Sequence, residues 1–380
     1  MARFTLLIGA SGLVGSYLMR DLLRNRRNLA VVVRSKGQLP AAARVDSILH
    51  GCELQLGERL PRPVCLEGDV NLPHLGLSNA SRKWIARNCG RVIHNAATLK
   101  FSGADRALDP WKTNYNGTQR VLRFCRRVSI REFHYVSTAY VCGKRNGVIR
   151  EDELNEGQGF RNDYEHSKYL AEHAVRNDGF LDAPTIYRPV TISGDSDTGY
   201  TNSYHGVYVY LRFLSSLFKR TAASTDGKLT VPLRIALQGD ERRNLVPINW
   251  VSQVICHLSA TRSAHGATYH LAPREPITAR LVLEAAYAYY NSDGVEFRGS
   301  DWDYGSDITT SEAAFLAHSK LYQDYELADP EFDTTHLQMY ARHLPCPAID
   351  QAVLHRYLQF GERDRWGKRP AAKQVKKLAA

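Results

Sequence analysis

Short apolar runs alternate with segments of helical periodicity over roughly the first 260 residues of the chain. The run from Phe4 to Ile8 leads into a glycine-rich turn and then into leucines at helical spacing, and a second apolar run covers 29–33. Similar runs predict further strands at 64–66, 91–94, 130–136 and 183–187. Strands that alternate with helices at this pitch form a parallel sheet with helices on both faces. We therefore expect an α/β fold built on a doubly wound parallel sheet.

The turn after the first strand reads GASGLVG, with Gly9, Gly12 and Gly15 at regular spacing. Glycine at these positions lets the chain bend sharply, approach a pyrophosphate and pack the following helix on the strand, and the helix N-terminus then faces the phosphates. In this context the turn indicates a dinucleotide-binding Rossmann sheet rather than only a tight structural turn. The other residues of the turn that we expect at the cofactor are Ser11, Leu13 and Val14.

The end of the second strand indicates which dinucleotide is bound. A carboxylate there would accept a hydrogen bond from the ribose 2′-hydroxyl of NAD, but this chain has Arg34, with Lys36 close behind. A cation suits a 2′-phosphate, so we predict NADPH/NADP+ as the cofactor. The alternative interpretation is an ordinary solvated basic strand end.

Small and polar residues follow the other strands of the predicted sheet. Asp69 lies in the turn after the third strand, Asn95 after the fourth and Thr138 after the fifth. The carboxyl ends of parallel strands share one edge, so we expect these side chains to converge. Asp69 can contact the adenine edge or bond its own backbone, and the residues leave both interpretations open. The remaining cofactor contacts that we predict at this edge are Val70, Ala96, Ala97, Arg188 and Pro189.

Tyr164 and Lys168 lie four residues apart in the segment NDYEHSKYLAEHAVR, which has helical periodicity. Positions i and i+4 share one face of a helix, so the phenol and the ammonium would lie side by side. Hydride transfer to a carbonyl needs a proton donor, and a neighbouring cation would lower the pKa of the phenol from about 10 toward the working range. Thr138 would orient the substrate oxygen. The alternative is an amphipathic surface helix.

We divide the chain into two parts. Residues 1–195 are expected to form the NADP-binding domain, with a returning segment near 240–260, and 196–239 together with 261–372 a smaller, mainly helical C-terminal substrate lobe. Residues 373–380 are a basic tail, which we interpret as partly derived from a vector.

Composition narrows the class of protein. The chain has no run of 18 apolar residues, so we predict no membrane span, and its seven dispersed cysteines indicate a reducing cytoplasm rather than disulfides or a metal site. The formal charge of +11 has two interpretations, an attraction for anionic partners or ordinary solvated side chains. Motifs typical of nucleic-acid binding are absent, so we expect no nucleic-acid partner.

The motifs GASGLVG, HNAA, NYNGT, VSTAYV, YEHSK and RPVTISG occur in the order and at the spacing of the extended short-chain dehydrogenase/reductase family, which the chain resembles over roughly residues 3 to 260. The resemblance implies Tyr164 as the catalytic acid and base, Lys168 as its ribose-binding partner, Thr138 as an active-site hydroxyl and Asn114 as the support of a proton relay. It also implies cofactor contacts from the glycine turn, Arg34 and Asp69.

Within that family the chain looks like the branch of thioester reductases and fatty-acyl reductases. That likeness implies reduction by NADPH of an acyl thioester, carried on coenzyme A or on an acyl or peptidyl carrier protein, to an aldehyde or alcohol; reduction of a free aldehyde or ketone stays open. The alternatives are a nucleotide-sugar epimerase and a non-catalytic NADP-binding regulator. An epimerase is weakened by Arg34, and a regulator by the retained Tyr164 and Lys168. We expect a monomer or a homodimer.

Overall fold

The computed structural model describes residues 3–103, 105–221, 225, 227–320, 325 and 328–368. These residues divide into two compact units. The first consists of 3–190, 248–272 and 330–346, and the second of 191–247, 273–329 and 347–368.

The strands, in chain order, are β1 (Phe4–Ile8), β2 (Leu29–Val33), β3 (Val64–Glu67), β4 (Cys89–His94), β5 (Glu132–Val136), β6 (Val148–Ile149), β7 (Thr185–Pro189), β8 (Thr191–Ser193), β9 (Leu229–Ile235), β10 (Arg242–Arg243), β11 (Leu245–Pro247), β12 (Thr268–Leu271), β13 (Ile277–Thr278), β14 (Ser292–Phe297) and β15 (Glu331–Phe332). The α-helices are α1 (Leu13–Arg24), α2 (Ala41–Leu56), α3 (Asn79–Asn88), α4 (Thr118–Arg127), α5 (Asp163–Arg176), α6 (Val207–Phe218), α7 (Ile248–Ala260), α8 (Ala279–Tyr290), α9 (Thr310–Ser319), α10 (Thr335–Ala341) and α11 (Gln351–Arg363).

A seven-stranded parallel sheet forms the centre of the first unit, in the order β12-β7-β5-β4-β1-β2-β3. The strand order reverses direction between β1 and β4, which pair through Leu6 with Val92 and Ile8 with His94. Ligands of such sheets bind outside the carboxyl ends of the strands at this reversal. The predicted doubly wound parallel sheet is confirmed.

Burial on both faces explains the apolar runs of the strands. All five residues of β2 are buried, as expected for a strand covered by helices on each side. On one face, Leu6 and Ile8 of β1 belong to a core that includes Val121 of α4 and Val175 of α5. The helices α1 and α7 pack against each other, and α2 also contacts α1. Among the described helices, none has both the length and the apolar composition that crossing a bilayer requires.

Two elements of the first unit differ from the sequence prediction. The segment DPWKTNYNGTQRVLRFCRRV, 109–128, has helical apolar spacing, but α4 is preceded by a π-helical turn, Lys112–Gly117, that continues into it. The sheet also gains β12 at its edge, where Tyr269 pairs with Tyr187 of β7. Strand β12 has only four residues, TYHL, and includes a histidine. The pattern of apolar residues therefore did not predict a strand there.

The second unit combines helices with short two-stranded sheets. Strands β8 and β11 pair in parallel, as do β9 and β14, whereas β10 and β13 are antiparallel. One core joins α6 to α11 through Leu211 and Leu354, and another places Phe218 of α6 with Leu233 of β9. The pairing of β9 with β14 adds strands to the lobe that was predicted to be mainly helical.

The observed division of the chain differs from the expected one at four segments. Residues 191–195 and those near 240–247, expected in the NADP-binding domain, belong to the second unit. Residues 261–272 and 330–346, expected in the substrate lobe, belong to the first unit. The first of them carries β12, which completes the sheet. The second carries β15, which pairs with β6, and α10, which packs against β12. The basic tail at 373–380 lies outside the described residues.

Candidate active site

The glycine turn brings the chain very close to the loop that follows β4. Gly9 has a φ of +93°, and a Cβ there would lie 2.5 Å from the backbone nitrogen of Ala96. A Cβ on Gly15 would collide with the carbonyl oxygen of Gly9. Gly12 precedes α1 and has no side chain to cap the helix. The N-terminal amides of α1 are therefore not taken by a side-chain cap, as phosphate binding requires.

Asn95 fastens the loop after β4 to the glycine turn. Its side-chain amide donates to the carbonyl of Gly9 over 3.2 Å, and its backbone nitrogen donates to Ile8 over 2.9 Å. Ala96 is half-buried and Ala97 is exposed, so only small side chains border this approach. The predicted cofactor residues of β1 and β4 thus lie at one edge of the sheet.

The basic end of β2 is partly neutralised by the turn after β3. The Arg34 guanidinium lies 3.8 Å from the carboxylate of Asp69, and the Arg34 side chain is 67% exposed. Asp69 also accepts a hydrogen bond from the backbone of Asn71 over 2.8 Å, which is the local turn role that the sequence left open. A further cation, Arg44 of α2, donates to the carbonyl of Arg34. Nothing in the polar segment around Arg44 distinguished it in the sequence.

Val70, the neighbour of Asp69, belongs to the hydrophobic core. It is buried, and it packs beside Gly117 at the end of the π-helical turn. The structure therefore gives its side chain a packing role.

Thr138 and Tyr164 come together from β5 and α5. Thr138 follows β5 and begins a short 3₁₀ turn, Ala139–Cys142, accepting a hydrogen bond from the Tyr140 amide over 3.3 Å. Tyr164 lies in the first turn of α5, which Asn162 caps by accepting from the Glu165 amide over 3.1 Å. The Thr138 hydroxyl acts on the Tyr164 phenol as a hydrogen-bonding neighbour.

The pKa of Tyr164 shifts in the direction opposite to the sequence expectation. Burial raises it to about 12, and the hydrogen bond with Thr138 acts in the other direction. Lys168 does not pull it down: among the described residues the ammonium bonds to Tyr135 and Val136, and no hydrogen bond joins it to the phenol. At neutral pH the phenol therefore carries its proton, as a proton donor in carbonyl reduction must.

Lys168 is almost completely buried, with 2% of its surface exposed. Its ammonium donates to the Tyr135 hydroxyl and to the Val136 carbonyl, each over 2.8 Å. Burial lowers the pKa of Lys168 to about 7, against the opposing field of Glu172. The spacing of Tyr164 and Lys168 gave no indication of Tyr135, because this partner lies on another element of the fold.

Asn114 joins three segments of the chain. Its side-chain oxygen accepts from the Thr98 amide over 2.9 Å, and its side-chain nitrogen donates to the Thr98 carbonyl over 3.2 Å and to the Ser167 hydroxyl over 3.1 Å. Its backbone carbonyl accepts from Thr118 over 2.6 Å. Asn114 therefore holds the loop after β4 against α5, which is a positioning role.

Arg188 does not occupy the place predicted for it at the cofactor. Its side chain is 1% exposed, and the guanidinium binds the Glu172 carboxylate at 2.7 Å. The other donors bond to the carbonyls of Glu151 and Glu153 and to His270. This guanidinium serves a buried ion pair, while Pro189 beside it offers its carbonyl to Thr138 over 3.4 Å.

A second titratable cluster lies at the opposite end of β5. Glu132, His134 and His265 place their ligand atoms within 4.8 Å of one another. The Arg91 guanidinium lies 3.0 Å from the same oxygen of Glu132 that both histidines approach. The carboxylate is already matched by that cation, so these side chains form an ion-pair cluster.

Residues 7–255 match the model of a protein family that is described as male sterility protein. The chain belongs to the male sterility protein family. This family lies in the thioester-reductase-like branch of the extended short-chain dehydrogenases/reductases, so the resemblance stated from the motifs is confirmed. Its matched region contains the glycine turn, Thr138, Tyr164 and Lys168, and the chain therefore has a nicotinamide-dinucleotide-binding domain.

Curated relatives of this male sterility protein family member are much longer proteins. A linear gramicidin synthase of Brevibacillus parabrevis is 29% identical over 70% of this chain and 5% of its own length. Isonitrile lipopeptide synthase of Streptomyces coeruleorubidus is 26% identical over 93% of this chain and 24% of its own length. Aldehyde reductase lnaA of Aspergillus flavus is 27% identical over 93% and 35%. The chain thus spans about a third or less of these relatives.

Solved structures match nearly the whole chain. The terminal R domain from the myxalamid PKS-NRPS biosynthetic pathway has a TM-score of 0.76 and 26% identity, covering 97% of this chain and 93% of that one. The UDP-glucuronic acid 4-epimerase from Bacillus cereus has a TM-score of 0.64 and 18% identity, covering 97% and 99%. The second match shows the shared fold alone.

Proposed function

We propose that this protein is an NADPH-dependent reductase of a carbonyl group in a biosynthetic pathway, with Tyr164 as the proton donor. The observation that carries the proposal is the meeting of Thr138 with Tyr164, whose buried phenol has a pKa raised to about 12 and carries its proton at neutral pH. Thr138 comes directly after β5, so the pair lies at the sheet edge that also holds the glycine turn. A proton donor beside a dinucleotide cradle is the arrangement that hydride reduction needs.

The glycine turn and Lys168 fit a dinucleotide. The space a Cβ would fill at Gly9 and Gly15 is closed by backbone, and the uncapped start of α1 suits the pyrophosphate. An ammonium has three hydrogens, of which Lys168 uses two on Tyr135 and Val136, so one remains for a ribose hydroxyl.

The chain's own residues manage the proton in the reaction. The bound cofactor supplies the hydride to the carbonyl carbon. Thr138 holds the substrate oxygen next to Tyr164, and Tyr164 gives that oxygen its proton. With a thioester, the product of this step is a hemithioacetal: its C–S bond then breaks, its hydroxyl gives up the proton that the departing sulfur takes, and an aldehyde and a thiol are formed.

NADPH is proposed over NADH from the charges at the end of β2. Arg34 is exposed, Lys36 follows it, and Arg44 lies against its backbone. Together these cations suit a 2′-phosphate, although Asp69 offsets part of the charge of Arg34.

The substrate class is proposed from the relatives. They include synthases and an aldehyde reductase, and a thiolation-reductase di-domain from an archaeal non-ribosomal peptide synthetase shares the fold at a TM-score of 0.70. We propose an acyl thioester presented on coenzyme A or on a carrier protein, whose acidic surface or phosphates would be attracted by the net charge of +11. The dispersed cysteines support a cytoplasmic protein. We also propose a monomer or homodimer.

The test is NADPH oxidation, followed by absorbance, with acyl-CoA and acyl-pantetheine thioesters, free aldehydes, ketones and UDP-sugars. We expect oxidation with a thioester and formation of an aldehyde or alcohol. Turnover by the Tyr164→Phe variant should be lower by about 10²-fold to 10⁴-fold, with cofactor affinity nearly unchanged, because only the proton donor is lost.

Other results would redirect the assignment. A response to free aldehydes or ketones alone would make the protein a carbonyl reductase. Conversion of a UDP-sugar without net oxidation would favour the epimerase alternative. NADPH binding with no turnover of any substrate would favour a regulator, and a Tyr164→Phe variant with full turnover would remove Tyr164 from the mechanism.

A further inference from the structure

The ammonium of Lys168 rests on the side chain of Tyr135 as well as on backbone. It donates to the Tyr135 hydroxyl over 2.8 Å, and it lies 4.2 Å from the centre of the same ring. The Val136 carbonyl, also 2.8 Å away, accepts a second hydrogen. Tyr135 therefore meets the cation with both its oxygen and its ring.

The directions of the hydrogen bonds around Tyr135 are determined by the donors present. The ammonium can only donate, so the Tyr135 oxygen accepts from it. The hydroxyl of Thr118 also interacts with the Tyr135 hydroxyl. Thr118 gives its own proton to the Asn114 carbonyl over 2.6 Å, so it presents only its oxygen to Tyr135.

His94 completes this arrangement from β4. Its Nε2 lies 2.9 Å from the Thr118 oxygen, and since that hydroxyl already donates to Asn114, Nε2 carries the hydrogen and donates. Burial lowers the pKa of His94 to about 3, and the charge of Lys168 adds to that shift. His94 is therefore neutral and cannot receive the Lys168 proton. The contacts among Tyr135, Thr118 and His94 hold the Tyr135 oxygen in place and do not carry the Lys168 proton away.

We propose that Tyr135 is the positioning residue of Lys168: its ring packs against His94, and its hydroxyl aims the ammonium so that one hydrogen is left for the cofactor. This inference rests on the proposed function, since it assigns Lys168 to a ribose hydroxyl. It explains why Tyr135, Thr118 and His94, all polar at one end, are buried together beside Lys168.

The protonation of Lys168 responds to the groups that face it. Glu172, one turn further along α5, favours the charged form, whereas burial opposes it. From the sheet, Tyr135 offers an oxygen and His94 is neutral. Removing the Tyr135 oxygen takes away a hydrogen bond to the charged form, so the pKa of Lys168 should fall further.

The experiment compares Tyr135→Phe with Tyr187→Phe. Tyr187 is a matched control, because it is also fully buried in the same sheet and its hydroxyl is also hydrogen-bonded, over 2.9 Å to His134. The dissociation constant of NADPH is measured by its fluorescence at a series of pH values, without substrate.

We expect Tyr135→Phe to weaken NADPH binding by about 10-fold, the loss typical of a hydrogen bond to a charged group. The pH at which affinity declines should also be lower than in the parent protein. Tyr187→Phe should keep the parental affinity and pH profile. The 2′-phosphate titrates equally in all three proteins, so the difference isolates Lys168.

Thr118→Val serves as a second variant, in case Tyr135→Phe fails to fold. It keeps the side-chain shape and removes the oxygen that orients Tyr135, so binding should weaken in the same direction and by less. Parental affinity and pH profile in folded Tyr135→Phe, or in folded Thr118→Val if only that variant folds, would overturn the inference. Absence of NADPH binding by the parent protein would instead overturn the proposed function.

Discussion

Lys168 and Arg188 are two buried cations of the first unit with opposite surroundings. Arg188 bonds directly to the Glu172 carboxylate and its remaining donors reach carbonyls and His270. Lys168, one helical turn before Glu172, bonds to two neutral oxygens, those of Tyr135 and Val136. The Arg188 guanidinium is paired with a carboxylate, and its hydrogen-bond donors are all in use. The Lys168 ammonium is left with a hydrogen to give and with a pKa lowered to about 7.

The contrast shows how a single helix serves structure and chemistry. Carboxylate pairing fixes a charge permanently, whereas neutral acceptors hold an ammonium in position and leave it ready for a ligand. The pKa of Glu172, lowered to about 2 by Arg188 and Arg176 against the effect of burial, shows how firmly its charge is held. Two variants test this comparison, and a third extends it to an exposed cation.

The largest expected effect on stability comes from Arg188→Met, which removes one of the two arginines that pair with the buried Glu172 carboxylate and leaves it with Arg176 at 2.9 Å. Loss of one partner of a buried pair costs about 3–5 kcal/mol of unfolding free energy, measured by urea titration. Arg126→Met is the control, because it removes an exposed cation 3.0 Å from Asp178 and should cost under about 1 kcal/mol. Equal losses in the two variants would contradict the structural role of Arg188.

Lys168→Met should behave in the opposite way. We expect it to abolish reduction while leaving the free energy of unfolding at pH 6 unchanged or higher, because it removes a buried ammonium without a carboxylate partner. A loss of several kcal/mol, like that of Arg188→Met, would place Lys168 with the structural cations.

The sign of the pH dependence follows from the lowered pKa. Between about 7 and the ordinary 10.5, the unfolded chain binds the Lys168 proton and the folded protein does not. The stability of the parent protein should therefore rise with pH in this window relative to Lys168→Met, and any stability advantage of the variant should shrink. A constant difference across the window would show that the pKa is not lowered.

The smallest effect is expected for an exposed cation. Arg34→Asp should lower the preference for NADPH over NADH, expressed as a ratio of kcat/KM, by about tenfold, since exposed charge pairs are weak. Arg24→Asp is the control: Arg24 is also exposed and also faces a carboxylate, that of Glu58 at 2.8 Å. An unchanged preference in Arg34→Asp would remove Arg34 from the cofactor site.

The sequence predicted the parts of the site that local rules govern. Gly9 and Gly15 were identified because a turn and a close helix packing need glycine, and Tyr164 with Lys168 because helical spacing places them on one face. The edge of the sheet followed from the alternation of strands and helices. These features depend on short stretches of chain, so the local pattern of residues in the sequence predicts them.

The features of the site and the fold that the sequence did not predict depend on contacts between residues that are far apart in the chain. Arg188 was expected just after a strand and was assigned to the cofactor, but it lies within β7 and pairs with Glu172 of α5. The pKa of Tyr164 was expected to fall toward the working range, but Lys168 bonds to Tyr135 and burial raises that pKa instead. The pairing of β9 with β14 joins segments far apart in sequence. Single-sequence patterns carry no information on such pairings.

The returning segment at 330–346 has a consequence for the order of assembly during synthesis. Val148 of β6 pairs with Glu331 of β15, and the backbone of His336 donates to the Glu151 carboxylate over 2.6 Å. These contacts join residues made far apart in time, and contacts of high sequence separation slow folding. The nucleotide-binding unit therefore cannot be finished on the ribosome when its first 190 residues emerge, because most of the second unit is synthesised before the last piece of the first.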